Sequence, residues 1–155
     1  MTARALSGAW PIREPVELDL RVEGPEARSL MDADIRRLFP GRTTGERLNR
    51  LRNWPRLVVR VDDVPVGIAT YTQTPIETHV PDFSVEIPHA LQMVHRRLAR
   101  QVLDALIDAI EIASLAGGCR RVVLIPTGGA GDLTRRGYGC VSEGCGGSWM
   151  EKSLP

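Results

Sequence analysis

The stretch His95-Arg-Arg-Leu-Ala-Arg-Gln-Val-Leu-Asp-Ala-Leu-Ile-Asp-Ala-Ile-Glu-Ile-Ala-Ser-Leu-Ala116-Gly-Gly-Cys-Arg120-Arg-Val-Val-Leu-Ile-Pro126 decides the fold. Leu98, Val102, Leu106 and Ile110 recur every four residues, and Ala99, Leu103, Ile107 and Ala113 widen the stripe. That spacing predicts one long amphipathic helix from His95 to Ala116, stopped by Gly117 and Gly118. The segment Arg120 to Pro126 follows at once. Its unbroken Val122 to Ile125 core, closed by a proline, is the pattern of a central strand covered on both faces.

Upstream, Val16 to Val22 alternates apolar and charged residues, the period of a half-buried strand. Pro25 and Glu26 suit a helix start, and Leu30, Met31, Ile35, Leu38 and Phe39 repeat at helical spacing until Pro40 and Gly41. A second short helix is expected from Thr44 to Arg52. Leu57 to Val61 and Val66 to Thr72 flank Asp62, Asp63, Val64 and Pro65, which predicts a hairpin with a loop of about four residues. Thr74 to Asp82, with two prolines, reads as a loop. Phe83, Val85 and Ile87 alternate with Ser84 and Glu86 as a strand ended by Pro88. Downstream, Gly128 to Arg136 reads as a flexible glycine turn into a short helix. Tyr138 to Glu143 and Ser148 to Ser153 read as a closing hairpin around Gly144, Gly146 and Gly147. The sum is an α/β (α+β) mixed sheet of about six to seven strands with about four helices on both faces. A single domain over residues 16–155 is expected, preceded by an N-terminal arm over 1–15 with Pro11, Pro15 and no periodicity.

Composition narrows the function. The chain has 155 residues, 43% hydrophobic and 25% charged, which is globular composition. No apolar run reaches the roughly 18 residues of a membrane span, and Met1 to Trp10 lacks the apolar core of a signal peptide, so a cytoplasmic location is expected. A net charge of +1 supplies no field for nucleic acid or an acidic membrane. Three cysteines, Cys119, Cys140 and Cys145, form no zinc spacing and argue against a disulfide framework. No metal site is expected. Lys152 is the single lysine and every other basic residue is Arg, a bias of GC-rich bacterial coding that removes most lysine chemistry.

The long helix carries its charge against the macrodipole: Arg96, Arg97 and Arg100 at its start, Asp104, Asp108 and Glu111 further on. A helix N-terminus with free amides and added arginines is suited to an anion. The alternative is that the arginines are solvated or pair with carboxylates such as Asp104, four residues after Arg100. His79, His89 and His95 cluster around the same loops, with His89 or His95 the better placed as a base or phosphate donor.

Element order and motifs together resemble the GNAT superfamily of acyl-CoA-dependent N-acetyltransferases. The matching residues are the hairpin from Leu57 to Ala69, the strand with Val85-Glu-Ile-Pro88, and the helix end and strand from Ala113 to Leu124. The run Ala130-Gly-Asp-Leu-Thr-Arg-Arg-Gly-Tyr138 and the ending Trp149-Met-Glu-Lys152 match as well. The resemblance implies that acetyl-CoA or another acyl-CoA inserts between the strand at Phe83 to Ile87 and the strand at Arg120 to Pro126. Its cofactor contacts would fall on Ile87, Arg96, Arg97, Leu98, Ala99 and Arg100. It implies Glu86 as the base for the incoming amine, with His89 as a second catalytic candidate, and Tyr71 and Glu77 on the side where the amine enters.

Two positions depart from the family pattern. With Ala99 in the final small position of the pyrophosphate loop, Arg97 stands where the middle glycine belongs and Val94 where an Arg or Gln belongs. At the position of the tyrosine that protonates the leaving thiolate, the chain has Leu133 and Thr134, and Tyr138 matches a packing aromatic. The expected function is acyl transfer to an amine of a small molecule or protein, by a chain that can form a homodimer. The competing expectation is a protein of this fold that has lost acyl-CoA transfer, acting as a binding protein or as a CoA-independent enzyme.

Overall fold

A computed structural model of the chain describes residues 18–94, 97–126, 131–142 and 149–155. Its elements run β1 (Leu20–Glu23), α1 (Asp32–Leu38), α2 (Gly45–Asn53), β2 (Arg56–Val61), β3 (Val64–Gln73) and β4 (Glu77–Val85). They continue with α3 (His89–Val94), α4 (Leu98–Ala116), β5 (Arg121–Pro126), α5 (Gly131–Arg135), β6 (Gly139–Ser142) and β7 (Trp149–Ser153). The strands form one sheet in the order β1-β2-β3-β4-β5-β7-β6, antiparallel throughout except for the parallel pair β4 and β5. This is the mixed sheet that the sequence predicts. The arm over residues 1–15, His95, Arg96, the start of the Gly128 turn and the glycine-rich turn between β6 and β7 lie outside the described residues.

Helix α4 covers one face of the sheet. Leu98, Val102, Leu103, Leu106, Ile107 and Ile110 are buried against Val59, Ala69, Val80, Phe83, Val122 and Leu124, each contributing about 1.5–3 kcal/mol. The helix sits close because β3 offers Gly67 beneath it: a Cβ there would stand 3.0 Å from Val102 Cγ1. At the C-terminus Gly117 N–H donates to Ala113 O, and Gly118 takes a positive φ of +79°. Helices α1 and α2 cover the opposite face with a second core of Ala27, Ile35, Leu38, Phe39, Leu51, Val58 and Ile68. Thr44 caps α2, its side chain accepting from Arg47 N–H at 3.2 Å.

The structure corrects the sequence reading in four places. The β2–β3 loop is a two-residue turn, because Asp62 and Asp63 adopt φ of 49° and 70°, the turn that fits a twisted hairpin. Val64 and Pro65 belong to β3, and a register shift at Val59/Arg60 absorbs the proline. The segment read as a loop from Thr74 to Asp82 is a turn over 74–76 followed by β4. Its second proline, Pro81, sits where β4 carries one extra residue against both neighbours, the bulge position at which a missing N–H is tolerated. The helix expected from His95 starts at Leu98 and is preceded by the separate α3. Finally, Asp104 does not pair with Arg100. It accepts from Arg135 at 2.8 Å and Arg136 at 3.2 Å.

Candidate active site

The bulge in β4 determines what the strand shows to each face. Before it, Thr78 and Val80 face α4; Thr78 Oγ1 lies 2.6 Å from Ser114 Oγ of that helix. Across the bulge Thr70 pairs with Asp82 and Thr72 with His79, so that Val80 and Pro81 of β4 stand against Tyr71 alone of β3. The alternation therefore resets: Phe83 and Ile87 enter the α4 core, while Asp82, Ser84 and Glu86 turn to α1 and α2.

Immediately after the bulge, β4 outruns β5. The last pair of that parallel ladder is Phe83 with Pro126, whereas on the other side β4 stays with β3 through Val85 and Gly67. Glu86 N–H donates to Val66 O at 2.9 Å. In an antiparallel pair successive residues turn their amides to opposite sides, so Val85 and Ile87 direct theirs toward the β5 side. Ile87 O accepts from Gln92 Nε2 of α3 at 2.9 Å.

The end of β4 is held from α1. Arg37 donates to Glu86 O at 2.9 Å, to Pro65 O and to Asp34 at 3.2 Å. In the reverse direction Ser84 Oγ donates to Leu38 O. The start of α4 lies at the same end of the sheet, since Gly67, the partner of Val85, sits under Val102, one turn into that helix. Arg97 is the N-cap with no side-chain cap, and no acidic residue stands in the first turn. The amides that open α4 thus have no side-chain acceptor among the described residues. Arg97 and Arg100 are exposed and enter no ion pair among the described residues. Asp104, Asp108 and Glu111, which oppose the dipole on paper, are matched by Arg135, Arg136 and Lys152 and tie α4 to α5 and β7.

The residues singled out by sequence separate into groups. Glu86, Ile87 and His89 stand together around the end of β4, with Glu86 and His89 exposed and Ile87 buried. Arg97, Leu98, Ala99 and Arg100 open α4, but the Leu98 side chain is core, so its backbone is what faces outward chemistry. Arg96 lies outside the described residues. Two further residues lie apart from this group. Glu77 begins β4 nine residues before Glu86, roughly 25–30 Å away at strand rise, and pairs with Arg121 at 3.0 Å. Tyr71 lies in the α4 core on the face opposite Glu86, and burial pushes its phenol pKa up. Among the described residues His79 stands apart from His89, packing edge-on to Trp149 at 6.3 Å. No metal-binding cluster occurs among the described residues.

Leu133, at the expected position of a tyrosine acid, is buried core. Tyr138 is committed elsewhere: its hydroxyl donates to Glu111 Oε2 at 3.0 Å, and Lys152 Nζ sits 3.1 Å from the same carboxylate. Burial, then the negative charge of Glu111, drive its pKa well above the ordinary phenol value.

Sequence reading missed Asp82. It is fully buried, on the same face as Glu86, and accepts from Arg50 Nε at 2.7 Å, Arg50 Nη2 at 3.0 Å, Arg47 Nε at 2.9 Å and Thr70 Oγ1 at 2.6 Å. Burial raises its pKa, but the bonds from Arg50, Thr70 and Arg47 outweigh that and hold the carboxyl below its ordinary value.

No protein-family model matches the chain, and no curated protein matches it in sequence. Solved structures do. An acetyltransferase from Streptococcus agalactiae superposes with a TM-score of 0.63 at 11% identity, over 87% of this chain and 98% of that one. Ard1 from Thermoplasma volcanium gives 0.60 at 16% identity, over 88% and 98%. A GNAT family acetyltransferase from Elizabethkingia anophelis with acetyl-CoA bound gives 0.59 at 12%, over 87% and 98%. The fold is therefore that of the GNAT acetyltransferases.

Proposed function

We propose that the protein is an acyl-CoA-dependent N-acyltransferase. The observation that carries this reading is the end of β4: past Phe83 the strand loses β5, turns the backbone of Val85 and Ile87 toward the gap, and is followed beyond α3 by a helix start where, among the described residues, no side chain caps the amides and Arg97 and Arg100 have no ion-pair partner. An extended pantetheine arm needs backbone partners of that kind, and a pyrophosphate needs free helix amides with added positive charge. A bound acyl-CoA supplies an activated thioester. Val85 and Ile87 would orient it, and Arg97, Ala99 and Arg100 would hold its phosphates. Glu86, exposed and without an ion-pair partner among the described residues, would take the proton of the incoming ammonium, with His89 as the second candidate. No tyrosine acid takes part, since Leu133 is core and Tyr138 is bound to Glu111.

The competing reading, a protein of this fold without acyl-CoA chemistry, is favoured by one observation: the N-cap of α4 is Arg97, where the family pattern has glycine, and α3 intervenes before it. A thermal-shift titration with acetyl-CoA separates the two. Ligand at 100 times Kd adds about 2.7 kcal/mol, which for a chain of this size raises Tm by roughly 5–10 °C. No shift at millimolar acetyl-CoA would favour the competing reading.

A further inference from the structure

We propose that Arg37 of α1 is a positioning residue for acyl-CoA: through the carbonyl of Glu86 it fixes the direction of the Ile87 N–H that pairs with the cofactor arm. This rests on the acyltransferase reading and adds to it a residue outside the cofactor contacts. The argument starts from how little sheet is left at the end of β4. The ladder with β5 stops at Phe83 and Pro126, and the ladder with β3 stops at Val85 and Gly67. One residue further, Glu86 N–H still donates to Val66 O at 2.9 Å.

Beyond that bond the fork of Arg37 takes the place of the next rung. Nη1 donates to Glu86 O at 2.9 Å and Nη2 to Pro65 O, so one guanidinium bridges the ends of two neighbouring strands. Asp34, three residues earlier on α1, accepts from Nη2 at 3.2 Å and fixes the fork. The helix behind it is anchored as well. Ile35 and Leu38 are buried, and Leu38 O accepts from Ser84 Oγ.

Glu86 C=O and Ile87 N–H belong to one peptide plane. That bond is trans, so its oxygen and its hydrogen point in opposite directions. An oxygen held by Arg37 on the β3 side therefore directs the Ile87 N–H to the side that β5 has left. Pro88 has no N–H, which makes Ile87 the last backbone donor of the segment. The next carbonyl, Ile87 O, accepts from Gln92 Nε2 of α3 at 2.9 Å. Two side chains thus hold, from α1 and α3, a stretch that neighbouring strands hold elsewhere in the sheet. The bond from a guanidinium is charge-assisted, and it polarises the plane so that the Ile87 N–H is a stronger donor. The same backbone carries the Glu86 side chain, which is exposed and has no ion-pair partner among the described residues. Its direction follows that of the plane.

The test is calorimetric titration of acetyl-CoA into the full chain and into Arg37→Met, Arg37→Lys and Ile35→Val, each also unfolded thermally. Ile35→Val thins the same α1 core without touching the fork, so it reports what a loss of stability alone does to binding. Arg37→Met should weaken acetyl-CoA about tenfold, the effect of one well-placed hydrogen bond. Arg37→Lys keeps the charge and reaches one carbonyl, and should recover part of the affinity. Ile35→Val should bind as the wild type does. Amide exchange supplies a reading that a merely structural role does not move: at saturating acetyl-CoA the added protection around Ile87 should fall in Arg37→Met while that over residues 97–101 stays. Equal affinity in wild type and Arg37→Met, or equal weakening in Arg37→Met and Ile35→Val, would overturn the proposal and leave the acyltransferase reading standing. A wild-type chain that does not bind acetyl-CoA overturns both. Where Arg37→Met does not fold, Arg37→Lys against Ile35→Val decides: weaker binding in the lysine variant alone supports the proposal, and any other result overturns it.

Discussion

Replacing Asp82 with asparagine removes the charge at the centre of the α2–β4 contact while keeping the volume. Four hydrogen bonds end on that carboxylate, three from guanidinium nitrogens and one from Thr70. Asparagine retains one acceptor oxygen and turns an NH2 group toward arginine donors, so at least two of the four are lost. Breaking a buried ion pair from one side costs about 3–5 kcal/mol. The arginines are partly exposed and water compensates them in part, which puts the expectation near the lower end, about 3 kcal/mol. In urea unfolding followed by circular dichroism at pH 7 this appears as a lower midpoint with an unchanged slope. The pH dependence gives a second reading. The folded carboxyl titrates below its unfolded value of about 3.9, so the unfolded chain binds the proton first as pH falls. The stabilisation is therefore complete above about pH 4 and is lost as pH drops through the folded value. The gap between wild type and Asp82→Asn should close below pH 4. A gap under 1 kcal/mol at pH 7, or one that stays constant on acidification, would refute the assignment of Asp82 as an ionised hub.

Other expectations follow from single contacts. Gly67→Val places branched carbons where even a Cβ stands 3.0 Å from Val102 Cγ1, so it should destabilise by about 1–3 kcal/mol, read by thermal unfolding; an unchanged Tm would mean that α4 does not pack on β3 as described. Tyr138→Phe should cost about 1 kcal/mol for the lost bond to Glu111 and leave kcat unchanged, whereas a large fall in kcat would restore the tyrosine as an acid. Arg97→Glu should weaken acetyl-CoA at least tenfold by calorimetry, two charge units being reversed beside a helix N-terminus. Equal affinity would mean that this arginine is only solvated.

The parts of the fold that were legible are those with uninterrupted local periodicity. Helix α4 from Leu98, the Gly117-Gly118 stop and β5 all declare themselves over windows of a few turns. Strand β4 did not, because Pro75 and Pro81 mask its first half and the bulge shifts its alternation midway, so no single period of two runs through Glu77 to Val85. The start of α4 at Leu98 was also hidden, because His95, Arg96 and Arg97 carry neither a capping residue nor a helix breaker. At the candidate site, Glu86, Ile87 and His89 stood out in the sequence because strand, proline and helix stand next to one another in the chain. Asp82 was missed because its partners lie 32 and 35 residues away on α2. Nothing local marks a carboxylate at the end of a proline-containing run as buried. The placement of Tyr71 and Glu77 away from Glu86 was not legible for a related reason, since their side of the sheet and their end of the strand depend on register.

In the proposed complex acyl-CoA lies along the end of β4 and against the start of α4. Amide hydrogen exchange with and without saturating acetyl-CoA tests this most directly. Added protection is expected over residues 84–87 and 97–101, with no change in the β1 and β2 region lined by Asp19, Arg28 and Arg60. Protection confined to that charged cavity, or none anywhere at saturating ligand, would contradict it.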